Sequence, residues 1–318
     1  MHQHVADPWN WDRHISVVLE FVEPAVTGEM DGVHRHRELG HRSSLRSDIG
    51  FSMIANVITA MPRIAIAVQD FDAAVTTFRE QFGMPVVDFS ERTVPDLGAH
   101  VGMCIPAGGS NLELMAPADP SKPLSQTLQS FLDRRGEGLY ALMLEAPSPN
   151  DEAAELKGRG VNVMPLMKGA GGRDVHPSST SGVLIRVYPE NSAGDFPPME
   201  SSAPGFSGIS RVIVATTDVE AAATAYRTGL GLNVRHVSSD AERGVKAAVL
   251  DPPTGGVIEL VEVTDSSRPF ASDVSAFMVA KKQGMFALVL QADDVDAATA
   301  HLAGVNTYGT RFIIEQRP

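Results

Sequence analysis

The sequence predicts an α+β fold: tandem βαβββ modules paired into curved mixed sheets, in two domains, with the last module cut short. Three observations predict it. A short aliphatic strand, an acidic cluster, an Ala-Ala pair and a helix recur four times, at Arg63–Ala74, Ala141–Ala154, Arg211–Ala222 and Ala287–Ala298. Their spacing of roughly 70–80 residues is too long for a common solenoid repeat. The first and third copies also agree in their helix faces. Phe71, Val75, Phe78 and Phe82 follow Asp70 at the offsets at which Val219, Ala223, Tyr226 and Leu230 follow Asp218. Finally, three strand-like segments come after each of these helices, which completes the βαβββ unit.

Residues 1–55 stand apart from the repeats. They hold His2, His4, His14, His34, His36 and His41, six of the ten histidines, together with both tryptophans, and show no amphipathic period. They read as an N-terminal extension, with Met53 a natural start for the folded part. A loose metal site at His34 and His36 is the functional alternative. Domain A spans 60–190. Its first strand opens at Arg63, Asp70 caps the helix by accepting backbone N–H bonds, and Gly83 stops that helix. Strands follow at Met84–Val87, His100–Ile105 and Asn111–Met115. Residues 191–206 are rich in Pro, Ser, Gly and acids and read as a linker. Domain B spans 207–318, with strands at Leu232–Arg235, Ala247–Leu250 and Val257–Val263. Its second module has room for one final strand, Arg311–Glu315. The open edge this leaves could be covered by a second copy of the chain in a homodimer.

Composition excludes several classes. With 318 residues, 43% hydrophobic and 20% charged, the chain is globular and long enough for two cores. A net charge of −13 without any basic stripe argues against nucleic-acid binding. No run of about 18 apolar residues suggests a membrane span, and the polar N-terminus lacks a signal core, so a cytoplasmic location is expected. Cys104 is the only cysteine, which rules out an internal disulfide and a thiolate zinc site.

Residues 109–146, GSNLELMAPADPSKPLSQTLQSFLDRRGEGLYALMLEA, resemble the middle of a methylmalonyl-CoA epimerase, and 176–185, HPSSTSGVLI, its C-terminal strand region. Gly255–Val263 and Gly284–Asp294 are similar, more loosely, to the wider vicinal-oxygen-chelate superfamily of glyoxalases, bleomycin resistance proteins and extradiol dioxygenases. The resemblance implies paired modules forming an eight-stranded cup around a divalent metal that chelates two substrate oxygens.

Carried over position by position, the metal set is mostly absent. The family's four ligand positions hold Arg63, Glu113, Ala141 and Arg186 in domain A, and Arg211, Glu259, Ala287 and Ile313 in domain B, with Glu315 two residues further on and on the same face. Guanidinium does not ligate metals. No cofactor is therefore expected, and a divalent metal on atypical ligands drawn from His100, Glu113, His236, Glu259 and Glu315 is the alternative. One reading of the arginines is structural: Arg63–Glu113 and Arg211–Glu259 are internal ion pairs in place of the metal. The other is functional: in domain A, two arginines against one glutamate leave a charge of +1 that holds an anionic substrate. There Glu113 is the base, Tyr140 the proton carrier, and Arg63 and Arg186 the anion clamp. In domain B, Arg211 and Glu259 bind substrate and Phe286 replaces the tyrosine.

The expected function is binding of a small anionic or carbonyl-containing molecule, in a metal-independent isomerase, epimerase or lyase. The alternatives are a non-catalytic sequestering protein and a metal enzyme resembling an extradiol dioxygenase or an epimerase with atypical ligands.

Overall fold

The computed structural model describes residues 58–167, 172–192 and 206–318. The N-terminal extension and most of the linker lie outside these residues. The first half contains β1 (Ala60–Ala67), α1 (Phe71–Glu80), β2 (Val86–Asp88), α2 (Ser90–Leu97), β3 (Ala99–Cys104), β4 (Asn111–Pro117), α3 (Pro123–Arg135), β5 (Gly138–Ala146), α4 (Pro149–Gly158), β6 (Arg173–Val175) and β7 (Ile185–Pro189). The second contains β8 (Phe206–Ala215), α5 (Val219–Leu230), β9 (Asn233–Asp240), β10 (Val245–Asp251), β11 (Val257–Val263), α6 (Pro269–Lys281), β12 (Gly284–Ala292), α7 (Val295–Leu302) and β13 (Phe312–Gln316).

Each half builds one mixed sheet, in the order β2-β3-β4-β1-β5-β7-β6 and β13-β12-β8-β11-β10-β9. Among the described residues, seven and six strands replace the eight of the expected cup. In the first sheet, the strand missing from the second module is reduced to one bridge between Val163 and Val175. In the second sheet, β12 is followed only by α7 and β13. Within each sheet the two modules join through their first strands, β1 with β5 and β8 with β12, both antiparallel.

Local chemistry explains the repeated helix starts. Asp70, Asp218 and Asp294 accept from the backbone N–H groups of Ala73, Ala221 and Ala297 at 2.9–3.0 Å. The second copy differs: Pro149 opens α4, and Glu152 reaches back to accept from Ser148 N at 2.7 Å. Gly231 caps α5 in the left-handed conformation (φ 73°), whereas α1 ends at Glu80, three residues before Gly83.

One core joins the two halves. Phe78 of α1 and Phe82, just beyond its end, pack on Tyr308 and Phe312, and the Tyr226 hydroxyl of α5 donates to the Thr180 carbonyl at 3.0 Å. The backbones approach in reciprocal pairs: a side chain on Gly109 would strike the Ile209 carbonyl, and one on Gly255 the Met61 carbonyl. Likewise Gly309 abuts Glu137, and Gly182 abuts Gln283. These exchanges follow the sequence repeat, so the halves relate by an approximate twofold. The cups then face away from the shared core, each roofed by its own helix: α3 over the first, with Leu124, Leu128 and Phe131 buried, and α6 over the second, with Ala271 and Val274.

Candidate functional site

Strand alternation puts Arg63, Glu113 and Arg186 inside the first cup, all buried. Arg63 Nε lies against Glu113 Oε2 as an ion pair, off the hydrogen-bond line, and Nη1 donates to Ser192 Oγ at 3.1 Å. Arg186 does not join Glu113. It forms a bidentate pair with Asp174, directly across the β6–β7 ladder, with Nε and Nη2 at 2.5 and 2.6 Å from the two carboxylate oxygens. Tyr188 lies beside both guanidiniums, 4.4 Å from Arg63 and 5.8 Å from Arg186, ring centroid to Cζ. Burial opposes both charges, but Glu113 and Tyr188 hold the Arg63 pKa above its usual range, and Asp174 and Tyr188 do the same for Arg186.

Asp174 corrects the expected charge of +1: each arginine has its own carboxylate, and a third buried carboxylate, Glu145, accepts from Ser192 Oγ, the same hydroxyl that accepts from Arg63. The proton-carrier role expected of Tyr140 also meets an obstacle. Burial pushes its phenol up to about 12, and its hydroxyl donates to Thr127 Oγ1 on α3 at 3.3 Å. The space left among Met115, Tyr140, Met143, Asp174, Arg186 and Tyr188 is about 20 Å³, room for about one water molecule.

The second cup has the same plan with a different outcome. Arg211 Nε donates to Glu259 Oε2 at 2.9 Å, and its Nη2 meets Glu315. Arg243 meets the other Glu259 oxygen and donates to Asp240 at 2.8 Å. The result is an alternating chain, Glu315–Arg211–Glu259–Arg243–Asp240. Burial opposes the Arg243 charge, but Glu259 and then Asp240 hold its pKa above its usual range. β7 and β13 pair identically with β5 and β12, Ile185 opposite Leu142 and Phe312 opposite Leu288. Glu315 therefore occupies the place of Tyr188, and Ile313 that of Arg186. No strand corresponds to β6 among the described residues, and Arg211 and Glu315 keep 26% and 38% side-chain exposure. A cleft of about 520 Å³ opens there, walled by Arg235, His236, Val249 and Val257 above the charged chain.

The remaining sequence candidates fall elsewhere. His100 stacks on Phe71 of α1, 5.2 Å between centroids, on the face of the sheet away from Glu113. Phe286 is buried edge-on between Phe270 and Phe277, so it supports the roof of the second cup instead of lining the cleft. Cys104 is buried, which pushes its thiol pKa up, away from thiolate chemistry. Sequence reasoning missed Asp174, Tyr188, Arg243 and Asp240. Tyr188 had a signal, standing two residues after Arg186 on the same face.

The cups do not fit a divalent ion. Arginine stands where the first ligand would be, both retained glutamates are taken up by guanidinium, and no three His, Cys, Asp or Glu side chains converge among the described residues.

The glyoxalase/bleomycin resistance protein/dioxygenase superfamily is matched twice, over residues 63–176 and 208–310, together more than half of the chain. The chain belongs to this superfamily. A mutant 4-hydroxymandelate synthase from Streptomyces coelicolor shares its fold, with 14% identity and a TM-score of 0.54, over 77% of this chain and 75% of that one. A xylose isomerase-like TIM barrel/4-hydroxyphenylpyruvate dioxygenase fusion protein matches at 15% and 0.52, over 82% of this chain and 41% of that one. Methylmalonyl-CoA epimerase from Mycobacterium tuberculosis is 26% identical over 42% of this chain and 91% of its own, with a TM-score of 0.36. Among curated proteins none matches. Superfamily membership leaves the ligand open, because the fold serves unrelated chemistries. No helix among the described residues is long and apolar enough to cross a membrane.

Proposed function

We propose that this superfamily member binds a small carboxylate- or carbonyl-bearing molecule in its second cup and holds it without turning it over. The contrast in free space carries this reading: about 520 Å³ in the second cup against about 20 Å³ in the first. Pockets of several hundred Å³ accommodate ordinary metabolites. Arg211 supplies the recognition. Its contact with the half-exposed Glu315 can be exchanged for a ligand carboxylate, which a guanidinium binds through paired donors. With Glu315 swung aside, the Nη2 edge of Arg211 faces the cleft, flanked by Arg243 and by Arg235, which pairs with Asp251 at 2.8 Å.

The non-catalytic part rests on Glu259. A general base needs a free oxygen within reach of the substrate proton. Arg211 and Arg243 engage both oxygens of Glu259.

The test is thermal denaturation of the full chain with a panel of 2-oxo acids, aromatic acids and acyl-CoA esters, followed by turnover assays on the stabilising compounds. A ligand at about 100 times its Kd stabilises by about 2.7 kcal/mol. That gain should vanish in Arg211→Leu, where Arg243 still neutralises Glu259, and persist in Tyr188→Leu. Stabilisation that survives Arg211→Leu and disappears in Tyr188→Leu would place the ligand in the first cup. Turnover of a stabilising compound would make the protein an enzyme instead.

A further inference from the structure

β13 leaves the second sheet with an unpaired edge. In the first sheet, residues 159–184 connect α4 to β7 and supply β6, which pairs with β7 antiparallel, Asp174 opposite Arg186. In the second, only residues 303–311 connect α7 to β13, and they contain no strand. Two hydrogen bonds fix which backbone groups face the gap. Leu288 N donates to the Arg311 carbonyl and Arg317 N to the Ala292 carbonyl, both at 2.9 Å. Arg311, Ile313, Glu315 and Arg317 therefore turn their backbone groups toward β12, and Phe312, Ile314 and Gln316 turn theirs outward. Among the described residues no strand pairs with that outer side. Phe312, Ile313 and Ile314 are half-buried, where their counterparts Ile185, Arg186 and Val187 are buried. Neither proline nor lysine, the usual protectors of an edge, interrupts Phe312–Gln316.

We propose that this edge pairs antiparallel with the same strand of a second copy, centred on Ile313, so that two chains build one continuous sheet. Charge selects the register. Outward residues must face outward residues, so the pairing has to be centred on a residue. Centred on Glu315, two glutamates meet. Centred on Ile314, Arg311 meets Arg317 of the partner subunit. Centred on Phe312, Glu315 falls opposite Gly309, beyond the strand. Centred on Ile313, Arg311 meets Glu315 of the partner subunit on both sides of the axis, Ile313 meets its own copy, and Phe312 meets Ile314 of the partner subunit.

Both charged side chains can take this second partner. Arg311 Nη1 donates to Asp273 at 2.6 Å and Glu315 Oε1 meets Arg211, while Arg311 Nη2 and Glu315 Oε2 have no hydrogen-bond partner among the described residues. The arrangement repeats that of β6 on β7, with Ile313 of the partner subunit in the place of Asp174. The missing wall of the second cup then comes from another chain. The dimer does not depend on a ligand in the cleft. It does give Glu315 another guanidinium to turn to when a carboxylate takes Arg211.

Analytical ultracentrifugation of the full chain over about 1–500 μM tests the proposal, since so small an interface is weak. A reversible monomer–dimer equilibrium is expected. Ile313→Lys sets two ammonium groups face to face at the axis and should weaken the dimer at least about tenfold. Gln129→Lys, on the exposed side of α3, should leave it unchanged. Mild oxidation should link Ile313→Cys into a disulfide dimer and leave Glu315→Cys unlinked; the native Cys104 is buried and does not compete. Melting curves confirm folding, and the cysteine pair decides the question if Ile313→Lys fails to fold. A chain that stays monomeric throughout would overturn the proposal. So would a dimer that Ile313→Lys leaves intact, or cross-linking of Glu315→Cys in preference to Ile313→Cys.

Discussion

Replacing Arg186 by methionine would leave the Asp174 carboxylate buried in the first cup without its bidentate partner. Both side chains are only 7% exposed, so water cannot substitute for the guanidinium. Breaking a buried ion pair from one side costs about 3–5 kcal/mol, because the orphaned charge keeps its desolvation penalty. At roughly 2–4 °C per kcal/mol for a chain of this size, the midpoint should fall by about 6–20 °C. Tyr188 adds to the loss, since its ring also faces Arg186. Removing both charges should behave differently. An Asp174→Leu, Arg186→Met double variant exchanges the pair for apolar groups of similar size, and such exchanges range from neutral to about 4 kcal/mol stabilising. Calorimetric or circular-dichroism melts of the wild type, both singles and the double variant give the coupling energy directly. If the double variant loses as much as the two singles combined, or if Arg186→Met costs less than about 1 kcal/mol, the pair is not the closed structural unit described above.

Other predictions follow from the same geometry. In a cycle of Arg63→Gln and Glu113→Gln, the double variant should be about as stable as either single; strictly additive losses would show that the two do not interact. Gly309→Ala should destabilise more than Gly304→Ala. Both glycines have positive φ, but a Cβ at Gly309 would lie 2.0 Å from the Glu137 carbonyl while Gly304 faces open space, so the difference in melting isolates the contact between the halves. Burial lowers the pKa of His176, whose Nδ1 accepts from Ser178 N. The unfolded chain therefore binds that proton more readily than the folded one. The stability contributed by neutral His176 is present above the unfolded value of about 6.5 and is lost as pH falls below it. Melts at pH 5 and 8 should show a smaller pH-dependent drop in His176→Asn than in the wild type.

The repeats were legible because buried strands and capped helices leave periodic marks: aliphatic runs before Asp70, Asp218 and Asp294, and matching helix faces after them. The inward arginines were legible too, since strand alternation decides which way a side chain at Arg63 or Arg211 points. What escaped the sequence depends on pairing between distant segments. Asp174 meets Arg186 only through the antiparallel register of β6 and β7, and the turn at His176 does not announce that register. Arg243 reaches Glu259 from the turn between β9 and β10, a position no motif marks. The openness of the second cup turns on Glu315 standing where Tyr188 stands in the first. That equivalence emerges only from the shared pairing of β7 with β5 and β13 with β12. The joining of the halves back to back was equally hidden, since it rests on backbone approaches at single glycines.

The first cup is closed by its own charges, and the second is open to a ligand. Side-chain Nε–H signals of the arginines, followed by NMR during titration with a stabilising carboxylate, test this contrast most directly. Arg211 should show a saturable shift and Arg243 a smaller one, with Arg63 and Arg186 unmoved. Shifts at Arg63 or Arg186 with Arg211 unchanged would contradict it.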